Sequence, residues 1–332
     1  MKRVLLVLPG RGAYSSASLG SLTLDHELID AAEDARARYE LPSLRELDAA
    51  PRLDPAVHLR PANACALIYL ISMIDVATAR RDHKVVVATG NSLGWYTALT
   101  AAGSLSFEDG FRLVQEMSLL QEELEVRGAG GQVIYPLTGA DWRPDPALEA
   151  AVAHALRAGD GEVHASLDLG AYSVLAGTEA GVARLLADLP VVKIGERRYP
   201  LRLAMHGPSH SPLAAQVAAA APDRLADLAW SGPQFALVDG RGARWSPWST
   251  DPAALREYTL GEQVTAPYHF ATSVRVALRE WAPDLIVLPG PGNSLGGICA
   301  QIVVSEGYRG LRSRGDFEAA QQGSAPLVLA MR

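Results

Sequence analysis

Short apolar runs alternate along the chain with longer segments of helical periodicity. The runs Val4 to Leu8 and Val85 to Ala88 predict buried strands. Ala62 to Ala79 is apolar on nearly every face, which predicts a largely buried helix. Phe107 to Val126 carries apolar residues at helical spacing and runs into glycines at 128–131, which predicts an amphipathic helix. Alternating strands and helices predict an α/β fold with a parallel sheet and functional groups at the carboxyl ends of its strands.

The pattern changes between residues 132 and 197. Short strand candidates alternate there with alanine-rich helices, at 133–135, 146–157, 173–175 and 180–189. This β-α-β-β-α-β order predicts a small ferredoxin-like subdomain. The predicted domains are therefore a large α/β catalytic subdomain and this smaller insertion, at residues 1–131 with 198–332 and at 132–197. A further buried strand, Asp284 to Leu288, returns the chain to the large sheet.

Gly90-Asn91-Ser92-Leu93-Gly94 lies between the second strand and a helix-like stretch from Trp95 to Ala102. A Gly-x-Ser-x-Gly turn between a strand and a helix is typical of a nucleophile elbow, in which glycines let the chain turn sharply beneath an exposed serine hydroxyl. The free N–H groups at the helix start favour developing negative charge. The same motif also occurs in ordinary turns, but both flanks here favour a nucleophilic Ser92.

Composition limits the possible functions. The chain has 332 residues, 48% hydrophobic and 20% charged, which is typical of a globular protein. A net charge of −7 without a Lys/Arg run argues against a nucleic-acid surface. The two cysteines lie far apart in apolar settings, which argues against disulfides and against a metal site. The first apolar run stops at Pro9 and a later one is broken by Asp75, so we expect a cytoplasmic protein without a signal peptide or a membrane span.

Five motifs together resemble the malonyl-CoA:acyl-carrier-protein acyltransferase family, which includes the acyltransferase domains of polyketide synthases. They follow the family's order from residue 7 to about 300. The matching segments are Leu8-Pro9-Gly10-Arg11-Gly12, Gly90 to Gly94 with residues 96–99 and 102–109, Gly207-Pro208-Ser209-His210-Ser211-Pro212-Leu213, Glu262-Gln263-Val264-Thr265-Ala266-Pro267 and Gly290-Pro291-Gly292-Asn293-Ser294-Leu295. The resemblance implies the family's fold and an active site between the two subdomains.

The resemblance also implies catalytic roles. Ser92 would be the nucleophile and His210 the general base, although a lone loop histidine is otherwise more often a surface residue. Gln263 would orient the imidazole through its backbone carbonyl, giving a dyad without a third carboxylate. The backbone N–H groups of Arg11 and Leu93 would form the oxyanion hole.

Departures from the motifs concern the acyl group. Aligned without a gap from Phe107, Met117 stands where the family has the arginine that binds the malonyl carboxylate. Methionine cannot bind a carboxylate, so malonyl specificity by the usual route is not expected, unless an indel shifts the helix register. Asn91 and Trp95 replace a histidine and a glutamate beside the elbow. Asn91 could still hydrogen-bond near the site, whereas Trp95 together with Met117 predicts a more apolar acyl pocket. The predicted pocket residues are Met117, Trp95, Asn91 and Ser209.

Two further departures introduce positive charge. Arg11 and Arg60 each stand where the family has a glutamine. Either arginine could bind an acyl carboxylate or a coenzyme A phosphate, or both could point to solvent.

The first hypothesis is therefore an enzyme that moves an acyl group from acyl-CoA to the phosphopantetheine thiol of an acyl carrier protein, in fatty acid or polyketide synthesis. The alternative is an acyl-thioester hydrolase of the same fold, and a non-catalytic carrier-binding protein is a third. A generic esterase would need an acid between Ser92 and His210. Asp168 could be nominated for that role only by ignoring the motif match, so this hypothesis is rejected. We expect no metal and no tightly bound cofactor, no nucleic-acid partner, and a monomer or weak dimer.

Overall fold

The computed structural model describes residues 1–22 and 26–332. Its strands, in chain order, are β1 Arg3–Leu8, β2 Lys84–Gly90, β3 Gly131–Pro136, β4 Val163–Asp168, β5 Tyr172–Gly177, β6 Val192–Ile194, β7 Arg197–Tyr199, β8 Leu201–Arg202, β9 Ala236–Val238, β10 Arg244–Trp245, β11 Leu285–Leu288 and β12 Val328–Ala330. Its α-helices are α1 Glu27–Ala37, α2 Leu44–Asp48, α3 Pro55–His58, α4 Pro61–Asp82, α5 Leu93–Ala101, α6 Phe107–Val126, α7 Pro146–Ala158, α8 Glu179–Asp188, α9 Ala215–Arg224, α10 Pro252–Leu260, α11 Glu262–Thr265, α12 Phe270–Trp281, α13 Gly296–Ser305 and α14 Arg314–Gln322.

The main sheet has the strand order β10-β9-β2-β1-β11-β12. All neighbouring pairs are parallel except β9 with β10 at one edge. Val4 to Leu8 have no exposed surface, because helices cover both faces of the central strand. The prediction of an α/β fold with a parallel sheet is confirmed. The carboxyl ends of β1 and β2 lie side by side, since Leu8 is in register with Gly90.

Two long helices support the end of the sheet where β1 and β2 stop. α4 is buried along most of its length; by length and composition alone it could cross a membrane, but 83% of its apolar window is buried inside the protein. α6 begins at Ser106, whose side chain accepts the N–H of Asp109, and it packs against α4. The amphipathic period of α6 thus sets which of its residues face the interior.

A second sheet has the antiparallel order β4-β5-β3-β8. This order, with α7 and α8 as the two crossings, is that of the ferredoxin-like fold. The sheet buries its own apolar cluster, which includes Val133, Leu175 and Leu185. Its last strand, β8, follows a β6–β7 hairpin and lies beyond residue 197, because the chain turns once more before it pairs with β3.

The two sheets meet at Tyr268, which lies in the loop before α12. Its backbone N–H donates to the carbonyl of Ser166 (2.8 Å), and its own carbonyl accepts the N–H of Asp168 (2.9 Å). This pairing holds β4 above the carboxyl ends of β1 and β2, with a cleft between them.

Candidate active site

Ser92 occupies a sharp turn between β2 and α5. Its φ of 54° and ψ of −109° lie in a region that L-residues rarely adopt. A Cβ on Gly90 would lie 2.1 Å from the carbonyl carbon of Gly94, and one on Gly94 would lie 2.2 Å from the carbonyl oxygen of Leu8. The turn therefore requires both glycines, because the helix backbone passes directly over the end of the sheet. This is the strained elbow geometry that the motif predicts.

The hydroxyl of Ser92 meets the imidazole of His210. Ser92 Oγ and His210 Nε2 are 2.7 Å apart, and His210 Nδ1 is 2.7 Å from the backbone carbonyl of Gln263. A carbonyl oxygen can only accept, so Nδ1 carries the proton and Nε2 is the acceptor for the serine hydroxyl. The backbone N–H of His210 also donates to the carbonyl of Val264, which fixes its loop to α11.

Gln263 also holds the elbow through its side chain. Its Nε2 donates to the carbonyl of Ser92 (3.3 Å), and its Oε1 accepts the hydroxyl of Tyr96 (2.9 Å). The backbone of Gln263 thus contacts the imidazole while its amide contacts the nucleophile. One residue therefore fixes the relative position of both groups.

Burial makes His210 a neutral base. Its side chain is enclosed by protein, which lowers its pKa to about 4; the Gln263 carbonyl opposes this shift and the positive charge of Arg11 adds to it. The imidazole is consequently unprotonated at neutral pH and can take a proton from Ser92.

Arg11 and Leu93 begin two helical segments on either side of Ser92. Arg11 opens the 3-10 turn Arg11–Ala13 after β1, and Leu93 opens α5. The first N–H groups of helical segments have no acceptor within their own helix. Both residues line the same cavity as Ser92, which suits two donors to an oxyanion formed there.

The cavity has a volume of about 180 Å³ and lies between the two sheets. Eight predicted site residues line it: Arg11, Asn91, Ser92, Leu93, Met117, Ser209, His210 and Gln263. Apolar side chains from the second sheet and from α13 form much of the rest: Ile134, Leu167, Leu169, Val174, Leu203, Leu295 and Ile298. The cavity is thus mainly apolar, with polar groups around the serine and along α6.

Trp95 does not line the cavity, contrary to the prediction. It has no exposed surface, its indole N–H donates to Thr259 Oγ1 (3.0 Å), and its ring packs edge-on against Tyr258. One helical turn beyond Ser92, its side chain points behind the elbow into the core. Its bulk therefore supports the elbow and does not shape the acyl pocket.

Arg60 is also outside the cavity. Its guanidinium forms an ion pair with Glu122 on α6 (2.9 Å), at the start of α4. Glu122 lies on a different face of α6 from Met117 and Gln121, which line the cavity. Arg60 therefore does not line the cavity, and its contact with the acyl group or with coenzyme A stays a prediction.

Arg11 does enter the cavity wall, but it already has a carboxylate partner. Both of its terminal nitrogens lie 3.3 Å from Glu125 Oε1, and Nη1 also lies 3.3 Å from Gln121 Oε1. The same Glu125 oxygen accepts the N–H of Gly207 (2.9 Å), in the loop that carries His210. The positive charge that the sequence adds at residue 11 is thus balanced by a glutamate two turns beyond Met117.

Several site residues were missed in the sequence. Gln132 on β3 donates to Ser166 Oγ (2.7 Å), which donates to the carbonyl of Ser209 (2.8 Å). Glu125, Gln121 and Tyr268 were missed as well. The helical period of α6 places residues 117, 121 and 125 on one face, so Gln121 and Glu125 could have been found from Met117. Nothing in the sequence links Gln132 to the site, since it reaches the site through the second sheet. Tyr268 directly follows the motif residue Pro267, but its pairing with β4 has no sequence signal.

Over residues 1–22 and 26–332 there is no group of three or more His, Cys, Asp or Glu side chains that could hold a metal ion. Cys65 and Cys299 are both buried free thiols.

Sequence and structure comparisons find that the chain is similar to acyltransferases. It matches no protein-family model. It is 26% identical over 309 residues to the malonyl CoA-acyl carrier protein transacylase of Salmonella typhimurium, covering 91% of this chain and 94% of that protein. The malonyl-CoA:ACP transacylase structure from Synechocystis sp. PCC 6803 superposes with a TM-score of 0.74 at 22% identity, over 90% of this chain and 94% of that one.

A third match includes a carrier. The complex of a type II polyketide synthase acyl-carrier protein with its malonyl-transacylase has a TM-score of 0.72 at 21% identity, over 91% of this chain and 93% of that one. Polyketide synthase proteins are also among the sequence relatives, and an acyltransferase domain is among the structural neighbours. The acyltransferase fold expected from the sequence motifs is confirmed.

Proposed function

We propose that this chain transfers a neutral acyl group from coenzyme A to the phosphopantetheine thiol of an acyl carrier protein. The chain is a relative of the malonyl-CoA:acyl carrier protein transacylases and of polyketide synthase acyltransferase domains. The observation that carries the proposal is the contact of Ser92 Oγ with His210 Nε2 at 2.7 Å, inside a cavity between the two sheets. The carrier as acceptor is supported by the names of the relatives and by the carrier complex among the structural neighbours.

In the first half-reaction Ser92 Oγ attacks the thioester carbonyl while His210 Nε2 takes its proton. The negative charge that forms on the carbonyl oxygen is stabilised by the backbone N–H groups of Arg11 and Leu93. The bond to sulfur then breaks, and His210 returns its proton to the departing thiolate of coenzyme A. The product is an ester on Ser92.

In the second half-reaction His210 takes the proton of the carrier's phosphopantetheine thiol, whose sulfur attacks the ester. The Ser92–acyl bond breaks, and the proton on His210 returns to Ser92 Oγ. The imidazole is suited to both steps because it is neutral at the start of each one. Its Nδ1–H contact with Gln263 holds the same ring orientation throughout.

The neutral acyl group is supported by charges within the cavity. Met117 supplies no cation, and the guanidinium of Arg11 is already paired with Glu125. Burial raises the pKa of Glu125, whereas Arg11 and the N–H of Gly207 lower it. A malonyl carboxylate would add a second negative charge beside one guanidinium in a largely buried place, which is unfavourable.

Intact-protein mass spectrometry tests the proposal. The purified protein is incubated with acetyl-, butanoyl- and malonyl-CoA, and then with a phosphopantetheinylated carrier. We expect the neutral acyl groups to add to the protein, to persist, and to move to the carrier when it is added. Ser92→Ala should acquire no acyl group, whereas Ser294→Ala, which removes another cavity serine, should still be acylated. Failure of every thioester to acylate the wild-type protein would refute the proposal, and rapid release as free acid without a carrier would contradict transfer.

A further inference from the structure

Arg11 presents an unusual group to the acyl cavity. Arg11 lines the cavity, its guanidinium donates to Gln121 of the same wall, and only 9% of its side-chain surface is exposed. The family resemblance places no arginine side chain at this position, and the oxyanion hole uses only its backbone. Apart from its charge, which lowers the pKa of His210, the side chain therefore has no role in the reaction as described.

The guanidinium has more donors than the protein uses. A guanidinium carries five N–H groups. Nη1 donates to Gln121 and to Glu125, and Nη2 donates once to Glu125. Within residues 1–22 and 26–332, Nε and the second hydrogen of Nη2 have no acceptor. A donor that loses contact with water when an acyl group fills the cavity is costly if it has no partner, so an acceptor atom of the bound acyl group would gain a favourable hydrogen bond here.

The charge of the site decides which acceptor is suitable. Glu125 already balances Arg11, so a neutral oxygen can be bound without adding charge to the cavity. A carboxylate would compete with Glu125 for the same guanidinium. A plain alkyl chain would leave both remaining donors unpaired. A hydroxyl or ketone oxygen satisfies the donors and keeps the site neutral.

We propose that Arg11 is a specificity-determining residue that selects acyl groups bearing a hydroxyl or ketone oxygen along the chain. This inference rests on the proposed function, because it concerns the acyl group that Ser92 receives. The Arg11–Glu125 pair acts as a neutral hydrogen-bond donor fixed in the cavity wall. The remaining apolar side chains accommodate the carbon atoms of the chain.

The test compares matched acyl groups. Ser92 acylation is followed by quenched-flow intact-protein mass spectrometry with coenzyme A thioesters of butanoyl, 3-hydroxybutanoyl and 3-oxobutanoyl groups, and of hexanoyl, 5-hydroxyhexanoyl and 5-oxohexanoyl groups. In at least one series we expect the oxygenated group to react about tenfold faster than the plain chain, as one hydrogen bond to a charged donor allows. Arg11→Gln, which keeps the backbone N–H, should reduce this ratio to about twofold or less.

Arg60→Gln is the matched control. It makes the same substitution in an arginine that pairs with a glutamate of α6 outside the cavity, so the ratio between oxygenated and plain chains should stay as in the wild type. Equal rates for oxygenated and plain chains in both wild-type series would overturn the inference, whether or not the Arg11 variant folds. A ratio that survives Arg11→Gln would overturn it too. If the wild-type protein is not acylated on Ser92 by any of the thioesters, that different result would refute the proposed function itself.

Discussion

The ring of Tyr268 lies edge-on to the imidazole of His210, with ring centroids 5.3 Å apart. The hydroxyl of the same tyrosine donates to the carbonyl of Gly90 (2.6 Å), the last residue of β2 before the elbow. Its backbone pairs with β4 of the second sheet. Tyr268 thus packs against His210, supports the strand that precedes Ser92 and joins the two sheets, which makes it a positioning residue for the proposed dyad.

Tyr268→Leu should slow Ser92 acylation with little change in KM. An aromatic edge contact is worth about 1 kcal/mol beyond burial, so its loss should lower kcat by about fivefold to tenfold. Stopped-flow measurement of coenzyme A release gives both constants. Tyr258→Phe is the control: it alters another buried tyrosine, which binds Gly240 and packs on Trp95, away from His210. Wild-type kcat in Tyr268→Leu would contradict the positioning role.

Acylation should keep its rate as pH falls well below the ordinary histidine range. Because burial lowers the pKa of His210 from 6.5 to about 4, the imidazole stays neutral above that value and gains a proton below it. The single-turnover acylation rate should therefore fall with an apparent pKa near 4. Circular dichroism at each pH checks that the protein stays folded.

Arg11→Gln should move this acidic limb to higher pH, because it removes a positive charge that lowers the pKa of His210. A wild-type limb centred near the ordinary value of about 6.5 would show that the imidazole is hydrated in solution.

Glu125→Gln should improve the use of malonyl-CoA. The amide oxygen can still accept from Gly207, but the guanidinium of Arg11 loses its counter-charge and becomes available to a carboxylate. We expect the ratio of malonyl to acetyl transfer to rise by about tenfold, the value of one charge-assisted hydrogen bond.

Glu122→Gln is the control for this change. Glu122 lies on the same helix as Glu125, but it pairs with Arg60 outside the cavity. It should leave the malonyl to acetyl ratio unaltered. An unaltered ratio in Glu125→Gln as well would show that Glu125 does not exclude carboxylates.

Gly90→Ala should destabilise the fold as well as the elbow. The new Cβ would lie 2.1 Å from the carbonyl carbon of Gly94. Moving the backbone at the centre of the protein to relieve this clash costs free energy. We expect the free energy of unfolding to fall by about 3 kcal/mol, at the upper end for overpacked sites. In contrast, Gly297→Ala in α13 meets no atom within 4 Å and should leave stability unchanged or raise it by up to about 1 kcal/mol. Urea denaturation of both variants decides between the two effects.

The strands and helices next to the elbow were predictable because each is defined by local sequence. α6 has the predicted bounds, Phe107–Val126, since Ser106 caps its start and glycines follow its end. The segments predicted as β1, β2 and β11 form strands of the parallel main sheet, as continuous apolar runs suggest. Likewise, the Ser92 turn depends on glycines whose spacing is visible in the sequence. These features need no knowledge of distant contacts.

The rest of the site depends on contacts between distant segments. Trp95 belongs to a recognisable motif, but whether its ring faces the cavity or the core depends on Thr259 and Tyr258. Similarly, Arg11 and Arg60 both replace a glutamine of the family, so the sequence does not show which of them lines the cavity. Their different partners on α6, Glu125 and Glu122, distinguish them in the structure. Tyr268 follows a motif proline with no chemical signal of its own. Its position results from pairing with β4, which sequence periodicity does not reveal.

Ile134, Leu167 and Val174, which line the cavity, belong to the ferredoxin-like sheet and not to the sheet that carries Ser92. Substitutions on these strands would alter which chain fits without disturbing the hydroxyl or the imidazole. Evolution could therefore change the acyl group that such a fold accepts through substitutions in the small subdomain, while Ser92 and His210 in the large subdomain stay unchanged.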